Sequence, residues 1–224
     1  MLQLRYEELM RKAKIAAGKT LLYREPPHYI TLGKELPAKA LDEILTDHAE
    51  VFTELKEYYK QTSESDTTKI SFYEDTYSLY NLYRFAHYYE EAYGKYIWLK
   101  SGASLVIEHT EAMTVIDVNT GSVLKKKKQE DTLFYQINRE AAKEIARQLR
   151  LRNISGIIMI DFINMKDTAQ KEKLLSLLDS ECKKDRVHCN VIDMTALNLV
   201  EMTRSKVRKP LHEQIRSCMK NNRS

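Results

Sequence analysis

Two apolar runs, SLVIEH (Ser104–His109) and MTVIDVN (Met113–Asn119), precede a long amphipathic stretch (Asp131–Leu151) and a third apolar run, GIIMIDF (Gly156–Phe162). Apolar residues recur in the long stretch at three- and four-residue spacing, which predicts a helix of about twenty residues. The short runs around it predict strands, and the continuous run GIIMIDF predicts a strand buried on both faces. Strands that alternate with helices indicate an α/β layer fold.

The rest of the second half continues this alternation. A helix is predicted over Asp167–Lys183, a strand over Val187–Ile192, another over 197–202, and a final helix over Leu211–Met219. Gly94 is a plausible boundary, because the pattern changes there. We therefore predict two domains, residues 1–94 and 95–224.

The first half is rich in tyrosine, with 12 of the 14 tyrosines before residue 96. Helices are predicted over 1–17 and Ala49–Lys60, and short strands over Lys19–Arg24, Asp42–Thr46 and Lys69–Tyr73. Aromatic residues recur at helical spacing within 73–88, which predicts a helix over Asp75–Tyr93. Such a stripe could stack on nucleobases, but it more often packs in a core, and we predict a core role.

Composition excludes several classes of protein. The 224 residues are 43% hydrophobic and 30% charged, with 6 Gly and 4 Pro, so the chain is neither disordered nor fibrous. No apolar run approaches the ~20 residues that a bilayer requires, and the first residues do not resemble a secretory signal. Cys182, Cys189 and Cys218 form no disulfide framework. We expect a cytoplasmic protein without a membrane partner.

Charge is distributed unevenly along the chain. Residues 1–95 carry 13 Lys+Arg and 16 Asp+Glu, whereas residues 96–224 carry 23 and 16. A polyanion would therefore meet the second half. A basic surface that serves only solubility explains the charge equally well.

Two carboxylates are the candidate catalytic residues, because each stands at the end of an apolar strand. These are Asp117 in MTVIDVN and Asp161 in GIIMIDF. Buried carboxylates are costly unless they are paired, protonated or bound to a cation. Ligands gather at the carboxyl ends of strands in α/β sheets, and oxygen ligands suit Mg²⁺. Asn119 points to the same side as Asp117 and could supply a third ligand. Two local caps or salt bridges are the equally supported alternative.

Basic residues lie between these two aspartates in the chain. Arg139, Lys143, Arg147 and Arg150 fall within ~80° of one another on the long helix. Lys125, Lys126, Lys127 and Lys128 precede it in a loop. Together they could hold the phosphates of a polyanion without reading sequence, and we predict that they do so near the acidic pair. A solvated helix face is the alternative.

Other motifs are absent or weak. No GxxxxGK[ST] phosphate loop, GxSxG or HExxH is present. His109 ends a strand and could carry a proton, although a local hydrogen bond is the more common role.

Four segments carry a resemblance to a known family. They are Leu99–Gly121, Asn138–Arg152, Gly156–Met165 and Leu199–Arg204, with a weaker match over Leu21–Pro26. In order and spacing they resemble the catalytic core of the ribonuclease E/G family over about residues 96–210.

The resemblance implies a magnesium-dependent endoribonuclease that cuts single-stranded RNA, leaves 5′-phosphate ends and acts in RNA processing or decay. It places Mg²⁺ on Asp117 and Asp161, assisted by Asn119. It also implies an α/β fold in which a deoxyribonuclease-I-like mixed-sheet catalytic domain follows a smaller ribonuclease-H-like segment with a structural role. A non-catalytic RNA-binding relative of the same family is the alternative.

The sequence departs from the family pattern in several places. We expect neither the family's oligonucleotide-binding barrel nor its 5′-end sensor within these residues. Ala196, Asn198 and Asn164 replace a basic residue, a glycine and an aspartate. Cys218-Met-Lys-Asn221 stands where the family has the CPxC zinc link. Any homo-oligomer is therefore not expected to form through that link.

Overall fold

The computed structural model describes residues 2–35, 41–62, 69–121 and 130–221. The chain forms two compact units, Met1–Arg84 and Phe85–Ser224. The division lies before the helix Phe85–Tyr93, whereas the sequence pattern placed the boundary after Gly94.

The first unit contains a small parallel pair of strands. Its elements are α1 (Leu2–Ile15), α2 (His28–Glu35), β1 (Glu43–Thr46), α3 (Ala49–Thr62), β2 (Lys69–Phe72) and α4 (Leu79–Leu82). β1 pairs with β2 in parallel, and α3 connects them. Ile30, Leu55 and Tyr59 form its buried centre. The unit is therefore built around one strand–helix–strand connection.

Two expectations for the first unit are wrong. Lys19–Arg24 is irregular rather than a strand, and Lys19 has a φ of 66°. The unpredicted helix α2 begins directly after Pro26 and Pro27, because proline is compatible with a helix start although it stops a strand.

The aromatic stripe also differs from expectation. The predicted helix Asp75–Tyr93 is two helices, α4 and α5 (Phe85–Tyr93), separated at Arg84, whose φ is 52°. Tyr77, Tyr80, Tyr83, Phe85 and Tyr88 are each at least 50% exposed, so the predicted core role is wrong for them.

The second unit is built on a six-stranded sheet. After α5 come β3 (Tyr96–Trp98), β4 (Ser104–His109), β5 (Met113–Asn119), α6 (Glu130–Leu151), β6 (Gly156–Asp161), α7 (Thr168–Cys182), β7 (Cys189–Met194), β8 (Leu199–Arg204) and α8 (Leu211–Asn221). The strand order is β3-β4-β5-β6-β8-β7. β5 and β6 are parallel and the other pairs are antiparallel. The predicted α/β class with a mixed sheet is confirmed.

The sheet has two different faces. Ile116, Val118, Ile158 and Ile160 are buried in one core with apolar residues of α6 and α7. The alternate strand residues point to the other side, which we call the open face because many of its side chains are exposed. It includes Tyr96, Trp98, Ser104, Val106, Glu108, Met113, Val115, Asp117, Asn119, Ile157, Met159, Asp161, Leu199, Glu201 and Thr203.

The prediction that β6 is buried on both faces is wrong. Ile157 is 49% exposed and Asp161 is also exposed, so this strand is not buried on both faces. The helices cover the other side of the sheet, and only every second residue of β6 enters the core.

No helix among the described residues is long and apolar enough to cross a membrane.

Candidate active site

The two candidate carboxylates lie side by side. β5 and β6 are parallel, and their register pairs Asp117 directly with Asp161. Adjacent strands are about 4.8 Å apart, and both side chains are on the open face. Residues 44 positions apart in the chain are therefore brought together near the carboxyl ends of two strands.

The electrostatics of this pair disfavour two bare negative charges. Partial burial, and then the neighbouring charge of Asp117, raise the pKa of the Asp161 carboxyl above its ordinary value. Two carboxylates at this spacing repel each other unless a proton or a cation is shared between them. The pair is thus suited to attract a cation.

Asn119 is hydrogen-bonded to one member of this pair, Asp117. Its side-chain Nδ2 donates a hydrogen bond of 2.6 Å to Oδ2 of Asp117. A half-turn of this amide would present its oxygen to the same region. Asn119 can therefore hold Asp117 in place or add an oxygen ligand.

The turn that follows β5 is packed tightly against a neighbouring loop. Gly121 has a φ of 56°, and a Cβ at this position would lie 2.6 Å from the carbonyl oxygen of Gly102. A side chain here would combine backbone strain with a steric clash. Glycine at 121 therefore allows this turn to approach the loop at Gly102 closely.

Two polar residues of α6 support the site, and the sequence analysis missed both. Asn138 is completely buried, and its side chain donates to the carbonyl of Ile163 at 2.8 Å and accepts from the Ile163 amide at 3.0 Å. Glu140 accepts hydrogen bonds from the amides of Lys100 and Ser101. A polar residue at the core-facing position 138 of an amphipathic helix was the available signal.

The donor set favours a hard cation. Among the residues described, no cluster of three or more His, Cys, Asp and Glu side chains is arranged to hold a metal ion. The available donors are the carboxylates of Asp117 and Asp161 and the amide oxygen of Asn119. They would leave most coordination positions of an ion to water and substrate. Mg²⁺ is commonly bound in this way.

The basic face of α6 does not join the acidic pair. Arg139, Lys143, Arg147 and Arg150 are exposed. However, α6 packs on the covered face of the sheet, whereas Asp117 and Asp161 are on the open face. Arg147 forms ion pairs with Glu91 and Glu144, at 2.9 and 2.7 Å. Lys125, Lys126, Lys127 and Lys128 lie outside the described residues.

One residue that departs from the family pattern, Asn198, has a clear local role. Asn198 has a φ of 64°, a conformation that the glycine expected there adopts readily. Its Oδ1 accepts a hydrogen bond of 2.7 Å from Nζ of Lys171 on α7. Ala196 is exposed. The turn before β8 is therefore retained without the usual glycine.

His109 belongs to a separate cluster. Its Nδ1 and Oγ1 of Thr114 are joined by a hydrogen bond of 3.0 Å, the predicted local role. Its ring stacks on His212 of α8 at 3.8 Å. Burial, His212 and Arg152 lower the pKa of His109 to about 4. His109, His212 and Arg152 line a cleft of about 930 Å³ whose lining does not include the acidic pair.

Comparison with known proteins places these features in one family. The family model described as "Ribonuclease E/G family" matches residues 1–207. The chain is 37% identical to ribonuclease G of Haemophilus influenzae over 203 residues, covering 91% of this chain and 41% of that protein. It is 34% identical to ribonuclease G of Escherichia coli, covering 92% and 42%, and 31% identical to ribonuclease E of a Nostoc species, covering 95% and 31%.

The chain thus spans about two fifths of the length of the ribonuclease G proteins that it matches. The matched residues include both units and the strands that carry Asp117, Asn119 and Asp161. With a family model matching nearly the whole of it, this chain belongs to the ribonuclease E/G family.

Proposed function

We propose that this chain is a magnesium-dependent endoribonuclease, or its catalytic core, which cleaves single-stranded RNA and leaves 5′-phosphate ends. The observation that carries the proposal is the in-register pairing of Asp117 with Asp161 on the open face. Membership of a ribonuclease family supports RNA as the substrate. Relatives named ribonuclease G and ribonuclease E support the reaction class.

Asp117 and Asp161 would hold the ion between them, because the register places them side by side on the open face. Partial burial, and then the neighbouring charge of Asp117, raise the pKa of Asp161, and a cation shared by the two carboxylates would relieve that repulsion. Asn119 would keep Asp117 in its binding orientation through the bond at Oδ2. Bound Mg²⁺ supplies charge stabilisation at a phosphate oxygen and lowers the pKa of a bound water. Asn138 would fix the backbone just beyond Asp161.

The proposed reaction is hydrolysis of a phosphodiester. Water adds to phosphorus, the bond from phosphorus to the 3′ oxygen breaks, and that oxygen takes a proton. One product ends in a 3′-hydroxyl and the other begins with a 5′-phosphate. The open face is suited to this reaction, because the carboxylates lie at a surface that single-stranded RNA can reach.

The experiment is cleavage of a short RNA carrying a fluorophore, with Mg²⁺ and with excess chelator. We expect internal cleavage only with Mg²⁺. The downstream products should accept a new 5′ label only after phosphatase treatment. Cleavage that persists at full rate in chelator, or products that carry a 5′-hydroxyl, would contradict the proposal.

A non-catalytic RNA-binding role is the second candidate. The separation of the α6 basic face from the acidic pair favours it, since those cations could bind RNA away from any chemistry. The same assay separates the two candidates. RNA binding without magnesium-dependent cleavage supports this second role.

A further inference from the structure

The edge strand β3 presents two aromatic side chains on the open face. Trp98 is 73% exposed and Tyr96 is 60% exposed, whereas Ile97 between them is buried. A contiguous exposed patch of apolar surface is a candidate binding surface. These two therefore differ from aromatic residues that stabilise a core.

The strand register aligns each of these two aromatics with a residue of the carboxylate site, in a row that runs across the strands. Trp98 lies opposite Ser104, which lies opposite Asn119. Tyr96 lies opposite Val106, which lies opposite Asp117. Each aromatic is thus two strands, or about 10 Å, from a site residue on the same face.

The side chains that lie between the aromatics and the carboxylate site do not project far from the sheet. Ser104 is small and buried, and Val106 is half-buried. No large side chain of these two rows therefore stands between Trp98 and Asn119, or between Tyr96 and Asp117. An extended strand of RNA could lie across both rows.

Positive charge is close to the same strand. The amino group of Lys95 lies 5.7 Å from the centre of the Tyr96 ring, and it also pairs with Glu108. Lys100 is exposed in the turn after Trp98, and Glu140 fixes its backbone amide at 2.7 Å. Exposed aromatics flanked by cations are typical of surfaces that bind single-stranded nucleic acids.

We propose that Trp98, with Tyr96 beside it, is a base-stacking subsite for the nucleotides of single-stranded RNA next to the scissile phosphate. This inference rests on the proposed function, because it takes Asp117 and Asp161 as the place where the chain is cut. Stacking on a ring face requires no particular base, so the subsite would hold RNA without sequence preference.

Fluorescence tests this directly, because Trp98 is the only tryptophan of the chain. A short single-stranded RNA is titrated into the full chain in chelator, so that binding is observed without cleavage. We expect saturable quenching of Trp98. An abasic chain of the same length, which keeps the phosphates, should produce little quenching.

Variants measure the contribution to affinity. By anisotropy of a labelled RNA, Trp98→Ala should weaken binding about five- to 150-fold, and Trp98→Phe should recover most of the loss. Ile192→Ala is a matched control, because Ile192 is 56% exposed on the opposite edge strand β7. It should bind RNA like the parent chain. Circular dichroism confirms that each variant is folded.

The outcomes distinguish this inference from the proposed function. Unchanged fluorescence on RNA binding, equal affinity of Trp98→Ala and the parent, or failure of the parent to bind RNA overturns the stacking subsite. Quenching and weakened binding by Trp98→Ala without magnesium-dependent cleavage by the parent supports the subsite and contradicts the proposed endonuclease.

Discussion

The two faces of the six-stranded sheet differ although the same strands build both. On β5, Ile116 and Val118 are buried against α6 and α7, and Asp117 between them points to the open face. On β6, Ile158 and Ile160 are buried while Asp161 is exposed. Adjacent residues therefore contribute to different properties, and stability and chemistry can be altered separately.

The largest expected effect is on the open face. Asp117→Asn should reduce RNA cleavage at least about 1,000-fold, because the metal interaction that it removes is worth several kcal/mol in the transition state. RNA binding should remain nearly intact, and the free energy of unfolding should change by less than about 0.5 kcal/mol. Cleavage rates and urea unfolding measure both quantities.

Glu172→Gln is the matched control for Asp117→Asn, because it removes an exposed carboxylate from α7. It should leave cleavage unchanged. Full turnover by Asp117→Asn would refute the assignment of the carboxylate pair.

Ile116, next to Asp117 but on the covered face, should show the reverse pattern, in which stability falls and cleavage is kept. Ile116→Ala truncates a completely buried side chain and should lower the free energy of unfolding by about 2–5 kcal/mol. The molecules that remain folded should keep most of their cleavage activity. The half-buried Val115 on the open face offers a comparison, since Val115→Ala should cost only roughly 1 kcal/mol. Equal losses in the free energy of unfolding for Val115→Ala and Ile116→Ala would show that the two faces contribute equally to stability.

A pH effect is expected on the covered side, where His109 stacks on His212, is hydrogen-bonded to Thr114 and is affected by the charge of Arg152. The folded-state pKa of His109, about 4, is below the unfolded value of ~6.5. Its contribution to stability is thus present above about pH 6.5 and lost as the pH falls towards about 4. His109→Gln should lose less stability over that range, measured by urea unfolding at several pH values. An identical pH dependence in both chains would contradict this.

The smallest expected effect is the pH dependence of stability that Asp161 causes on the open face. Its sign is opposite to that of His109. The pKa of Asp161 is raised, so its contribution to stability is present at low pH and lost as the pH rises through that pKa. Asp161→Asn should therefore be at least as stable as the parent at neutral pH. The difference should shrink on acidification. A variant less stable than the parent at neutral pH would show that the ionised carboxylate is stabilising in the fold.

Several features of the fold were predictable because they depend on local patterns. The three-four spacing of α6 and the apolar runs of β4, β5 and β6 indicated the elements that carry the site. Asp117 and Asp161 could be expected to converge, because parallel neighbours end at one edge.

Other features depend on tertiary placement. An apolar run does not reveal whether both sides of a strand are covered, so the exposure of Ile157 was missed. The period of α6 identified its basic face, but no helical period shows which side of the sheet a helix covers. The break at Arg84 rests on one residue with positive φ, for which the sequence offers no strong signal. Asn138 could be recognised as polar but not paired with Ile163.

The two hydrogen bonds between Asn138 and Ile163 have a consequence for dynamics. The Ile163 amide is bonded to a side chain on a helix rather than to a neighbouring strand. Exchange of this amide with deuterium would therefore require α6 and the segment beyond β6 to separate locally. A slow rate at this one amide would show that the backbone just beyond Asp161 opens only rarely.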